Sequence, residues 1–140
     1  MMFVNLPVTD LPRAVAFYTA LGFTQNPAFS DDNAACIVVE EDQAAFMLLV
    51  RDFFQTFTDR PAGDPSTTVS VMTALMVDSR DRVDEMTTAG LASGGVEERP
   101  ANDLGFMYQR QLSDPDGNVL ELGWMDPVAA ANGPEAAAAQ

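Results

Sequence analysis

Apolar side chains recur at every second position at the start of the chain. Val4, Leu6 and Val8 fall on one side and Phe3, Asn5 and Pro7 on the other, so Met2 to Val8 reads as a strand. Pro7 cannot donate to a ladder, which predicts an edge position or the end of pairing. The spacing then changes to three and four, and Leu11, Ala14, Val15, Tyr18 and Leu21 form the apolar stripe of a helix. Thr9 or Asp10 is its cap, Pro12 fits its first turn and Gly22 its left-handed stop, and Tyr18 is expected in the core. A further strand is predicted near Phe29. Ala35–Val39 and Ala44–Val50 follow as short strands around the polar turn Glu40–Gln43, the second apolar on both faces.

The same order of elements then returns. Phe53, Phe54 and Phe57 stand at helical spacing, to pack under a loop or to line the mouth of a cavity, and Arg60-Pro-Ala-Gly-Asp-Pro65 is rich in breakers. Val69–Val77 reads as a strand. Asp78-Ser79 caps a helix with Val83, Met86 and Ala89 inward and Gly90 at its end. A strand near Val96–Arg99, a loop over Pro100–Gly105 and a strand over Phe106–Leu112 come next. Asp114-Pro-Asp-Gly117 is a tight turn, with Pro115 presetting φ and Gly117 tolerating its positive values. The last strand starts near Val119, with Leu120, Leu122 and Trp124 on one face and Val119, Glu121 and Gly123 on the other. Leu6 superposes on Leu75, Val8 on Val77 and Ala20 on Ala89. The predicted architecture is α+β, with one βαβββ module over 1–57, a linker over 58–67, a second module over 68–126 and a flexible tail over 127–140 that buries nothing.

Composition narrows the partners. An apolar share of 47% over 140 residues suffices for a core. Seven arginines, no lysine, no histidine and 21 acids leave a net charge of −14, which disfavours nucleic acid and anionic membrane surfaces. Cys36 is the single cysteine, so no intrachain disulfide can form; without a histidine to activate it, it reads as a small buried hydrophobe. The eight methionines are scattered and read as core filling. There is no leader pattern and no membrane-length apolar run, and the expected location is cytoplasmic.

The residue that asks for an explanation is Glu121, a carboxylate in the middle of an otherwise apolar strand. The segment Asp114-Pro-Asp-Gly-Asn-Val-Leu-Glu-Leu122 resembles the end of a domain in the vicinal-oxygen-chelate superfamily, the glyoxalase/bleomycin-resistance/extradiol-dioxygenase group. The opening Phe3-Val-Asn-Leu-Pro-Val-Thr-Asp-Leu-Pro-Arg-Ala-Val-Ala-Phe-Tyr-Thr-Ala-Leu-Gly-Phe23 resembles that group's first strand and helix. The regions Asn33–Cys36, Gly105–Tyr108 and Trp124–Pro127 look like a bacterial lactoylglutathione-lyase-like subgroup. The resemblance implies two cupped mixed sheets around a cavity and a homodimer. It also implies a divalent metal held at four positions, which fall here on Phe3, about Leu48, Met72 and Glu121.

Of those four, only Glu121 suits a hard or borderline divalent ion, and catalytic sites take three or more protein ligands. No cofactor is therefore expected. A divalent metal such as magnesium or manganese would have to borrow acids from loops, Asp103 among them, or from a second subunit. Without metal, Glu121 is a general base, an anchor for a cationic or hydrogen-bonding ligand, or a structural partner of Arg110. The candidate pocket is Phe3, Asn5, Leu48, Met72, Gln109, Gln111 and Glu121, mostly apolar with a few convergent polar groups. A register slip of one residue would replace Gln109 and Gln111 by Tyr108 and Arg110. The expected function is binding of a small organic ligand without the usual metal. The alternative is a lyase-, isomerase- or dioxygenase-like enzyme using an unconventional metal site or Glu121 as base.

Overall fold

In the computed structural model of the protein, which describes residues 1–138, the elements follow in the predicted order. The first module is β1 (Met2–Val8), α1 (Leu11–Ala20), β2 (Thr24–Asn26), β3 (Ala34–Glu40) and β4 (Ala44–Val50). A short helix α2 (Arg51–Gln55) leads to the linker. The second module is β5 (Met72–Met76), α3 (Arg80–Ala92), β6 (Asn102–Asp103), β7 (Met107–Ser113) and β8 (Val119–Met125), followed by α4 (Pro127–Asn132) and α5 (Pro134–Ala138). Each module forms a mixed four-stranded sheet, in the orders β1-β4-β3-β2 and β5-β8-β7-β6, with the first strand parallel to the last. Pro7 therefore lies on an edge strand, where its missing donor is tolerated.

Local chemistry explains the boundaries. Asp10, not Thr9, caps α1 by accepting from the Arg13 N–H at 3.1 Å, because Thr9 is turned to Asp116. Gly22 follows α1 with φ +104°. Ser79 caps α3 by accepting from the Arg82 N–H at 3.0 Å.

Several expectations are corrected. The strand predicted near Phe29 ends at Asn26, because Pro27 opens a single 3₁₀ turn over Pro27–Phe29 that Asn26 caps, which leaves Phe29 exposed. The strand predicted over Val69–Val77 is confined to Met72–Met76. Gly90 does not end α3, which runs on to Ala92. Its missing side chain admits Leu112, Leu21 and Phe17, so it serves close packing while Gly94, at φ +94°, takes the left-handed position. The strand predicted over Val96–Arg99 reduces to one bridge between Val96 and Ser113, and the predicted loop contains β6. The segment from Pro127 is helical, and Ala129 is buried, so it does bury something. Residues 139 and 140 of the predicted tail lie outside the described residues.

One hydrophobic core serves both modules. Leu6, Val8, Phe17, Tyr18, Phe46 and Leu48 pack with Val83, Met86, Leu112, Leu120 and Leu122. Phe17, absent from the predicted stripe, is fully buried. The Asp114–Asn118 turn adds polar ties across the modules: Thr9 donates through N–H and hydroxyl to Asp116 at 2.9 and 2.7 Å, and Asn118 Nδ2 donates to the Pro7 carbonyl at 3.2 Å. Among the described residues, no helix is long and apolar enough to cross a membrane.

Candidate functional site

Pairing fixes which side chains share a face of the second sheet. Glu121 stands opposite Gln111 and Ala74, Gly123 opposite Gln109, and Val119 opposite Met72. Met72, Gln109, Gln111 and Glu121 therefore lie on one face, with Leu112, Leu120 and Leu122 on the core face. Gln109 Nε2 donates to Glu121 Oε2 at 2.7 Å, and Gln111 Nε2 reaches the Met72 sulfur at 3.8 Å. Gln109, Gln111 and Glu121 line a cavity of about 400 Å³ whose wall is completed by Arg99 to Asn102, and Met72 lies outside that lining.

The alternative register, with Tyr108 and Arg110 in the cavity, does not occur. Both point to the α3 side, where the Tyr108 hydroxyl donates to Asp84 at 2.7 Å and Arg110 donates to Glu97 at 2.7 and 2.8 Å and to Asp84 at 3.0 Å. The Arg110 guanidinium holds Glu97 below its usual range; for Asp84, the Tyr108 hydroxyl contributes most, then Arg110. The pairing of Glu121 with Arg110 is thereby corrected, since one-residue alternation puts them on opposite faces.

The first module supplies less than expected. Leu48 pairs with Leu6 and is fully buried in the core, so it does not face a cavity; Met47, opposite Asn5, occupies the other face. Phe3 is 54% exposed on that outer face. Asn5 lines a separate cavity of about 220 Å³ between β1 and the linker, with Phe54, Val69, Val71 and Thr73. The structure thus brings together Met72, Gln109, Gln111 and Glu121, places Asn5 at a neighbouring seam and excludes Leu48. Of the aromatic cluster, Phe53 and Phe57 pack edge to face at 5.0 Å while Phe54 lines the seam.

Arg99 and Asn102 were not among the predicted site residues. The signal is the pairing of Asn102 with Gln109, which becomes visible only once the two-residue β6 is known.

The residues do not fit a transition-metal centre. At the four positions implied by the resemblance, Phe3, about Leu48, Met72 and Glu121, the donors are one carboxylate and the Met72 thioether, and Met47, which takes the outer face in place of Leu48, would add only a second thioether. Asp103 is not available to be borrowed: it accepts from Arg80 at 2.8 and 3.0 Å, and that guanidinium also stacks on Tyr108 and Trp124 at 5.2 and 5.0 Å from the ring centroids. The ion pair pulls the Asp103 carboxyl down to about 2. Among the described residues, no group of three or more His, Cys, Asp or Glu is placed to hold a metal ion.

Comparison with known proteins agrees with this architecture. The family described as bleomycin resistance protein-like N-terminal matches residues 1–40. No curated protein matches the chain by sequence. A glyoxalase-related enzyme from Fulvimarina pelagi superposes with a TM-score of 0.76 at 20% identity, over 91% of this chain and 88% of the other. A lactoylglutathione lyase from Agrobacterium tumefaciens gives 0.63 at 21% identity over 89% and 92%. An antibiotic binding protein from Streptomyces sp. CB03234 gives 0.61 at 23% identity over 88% and 93%. The fold is that of the glyoxalase/bleomycin resistance proteins, and the match over the opening residues supports the vicinal-oxygen-chelate superfamily from the sequence side.

Proposed function

We propose that this protein binds a small organic molecule in the cavity around Glu121, without a transition metal. The observation that carries the reading is the Gln109–Glu121 hydrogen bond at the wall of a cavity of about 400 Å³. It fixes one oxygen, Oε2, of a carboxylate that lines the cavity and leaves Oε1 able to accept from a ligand. Convergent amides and one carboxylate in a concavity are the usual means of orienting a small molecule. The structural likeness to an antibiotic binding protein supports a binding role.

The test is a small-molecule screen by thermal shift, with hits measured calorimetrically on the wild type and on Glu121→Gln. The expected result is a loss of affinity of about tenfold or more, with stability changed by less than about 1 kcal/mol. Unchanged affinity together with a large loss of stability would assign Glu121 a structural role and overturn the proposal. Conversion of a bound hit into product, abolished in Glu121→Gln, would make Glu121 a base rather than an anchor.

The exposed Met2, Phe3, Met72 and Met76 support a homodimer as part of the same reading. Light scattering on the eluting protein measures it, and a monomer at micromolar concentration removes that part.

A further inference from the structure

We infer that the ligand of the Glu121 cavity is a zwitterion of the amino-acid or short-peptide type, with its carboxylate on Arg99 and its ammonium group on Glu121. This rests on the reading of that cavity as the binding site. Arg99 and Glu121 wall the same cavity, yet they make no ion pair with each other. Arg13, Arg80, Arg82 and Arg110 are each matched to a carboxylate, and Arg51 donates to the Ala62 and Gly63 carbonyls. Arg99 and Arg60 have no side-chain hydrogen-bond or ion-pair partner among the described residues, although the chain carries three acids for each arginine, and of the two only Arg99 lines this cavity.

One cationic and one anionic group lining one cavity without pairing to each other are complementary to a molecule carrying the two opposite charges. The amides of Asn102, Gln109 and Gln111 line the same cavity and offer both donors and acceptors, as a peptide or α-amino acid requires. Gln109 donates to Glu121 through Nε2 and so holds the carboxylate in place. The net charge of −14 selects among ligand classes. A pure anion would approach against the field of the whole protein, and a pure cation would leave Arg99 unmatched. A zwitterion meets neither obstacle, and both of its contacts are charge-assisted hydrogen bonds.

The test titrates the full chain with free L-amino acids and unblocked dipeptides, and with the N-acetylated and C-amidated forms of the same compounds. At least one unblocked compound is expected to bind, with each blocking group weakening it about tenfold or more. Arg99→Gln is expected to erase the preference over the amide and keep the preference over the acetylated form. Glu121→Gln is expected to do the reverse. Arg99 is exposed and unpartnered, so its variant folds and the first comparison stands even if the second variant is destabilised. The assignment is overturned if no unblocked compound binds at millimolar concentration. It is equally overturned if blocked forms bind as well, or if Arg99→Gln leaves both preferences intact. If zwitterions fail while another compound binds and Glu121→Gln weakens it, only the ligand class falls and the binding role stands.

Discussion

The Tyr18 hydroxyl donates to Asp114 Oδ2 at 2.8 Å in a buried contact that ties α1 of the first module to the turn before β8 of the second. Asp114 also accepts from the backbone N–H groups of Asp116 and Asn118 and from Asn118 Nδ2, all at 2.9 Å. Burial pushes the Asp114 carboxyl up, against the pull of these donors. Burial first, and then the Asp114 charge, holds the Tyr18 phenol well above its ordinary range. A turn legible in the sequence as the lead-in to Glu121 is therefore also the polar joint between the modules.

Tyr18→Phe tests that joint. It removes one of four donors from a buried carboxylate while keeping the ring, so the expected cost is about 1–2 kcal/mol in urea unfolding. Near-zero change would mean that the other donors suffice and that apolar packing alone joins the modules.

Gly90→Ala separates propensity from packing. In a helix interior alanine gains up to about 1 kcal/mol over glycine. Here the new Cβ would meet the Leu112 side chain, with Leu21 at 3.2 Å and Phe17 at 3.3 Å. Overpacking costs about 1–3 kcal/mol, so a net destabilisation of roughly 1–2 kcal/mol is expected from thermal or urea melting. A stabilised variant would show that Leu112 can move aside.

The contrast between Gly90 and Gly94 illustrates what was legible. Glycine after an apolar helical stripe reads as a stop, and only the approach of α3 to Phe17, Leu21 and Leu112 shows that Gly90 is a contact point. The first strand, the first helix and the final hairpin were readable because their apolar periods are local. Leu48 was misplaced because Ala44–Val50 is apolar on both faces, and only its pairing with β1 decides which side meets the core. Glu121 stood out as an acid among apolar residues. Arg99 and Asn102 belong to a segment without periodicity, brought to the site by a two-residue strand.

The Arg80–Asp103 pair carries a pH dependence. The Asp103 carboxyl is lowered in the folded state to about 2, from about 3.8. A depressed carboxylate contributes stability that is complete above the unfolded value and is lost as pH falls through the folded one. The stability difference between wild type and Asp103→Asn is therefore expected to be full at pH 5, to shrink between about pH 4 and 2, and to vanish below. Side-chain NMR of Asp103 should titrate near pH 2 and move up in Arg80→Gln. An Asp103 midpoint near 4 in the wild type would mean that the guanidinium spends its time on Tyr108 and Trp124 alone.

Metal content discriminates most directly between the donor set seen here and the centre implied by the superfamily resemblance. A stable zinc, nickel or iron site needs three or more suitable donors, and the four corresponding positions offer one carboxylate beside one thioether, a leucine and a phenyl ring. Gln109 already occupies one oxygen of that carboxylate, and Asp103, the loop acid named from the sequence, is held by Arg80. Elemental analysis of purified, tag-free protein is expected to find well under one metal per chain. Added Ni, Zn, Mn, Mg or Fe(II) is expected to leave the melting temperature of wild type and Glu121→Gln equally unmoved. A stoichiometric ion, or a shift selective for one metal and lost in Glu121→Gln, would show that donors from a second subunit complete the site. The metal-free reading would then give way to lyase or dioxygenase chemistry.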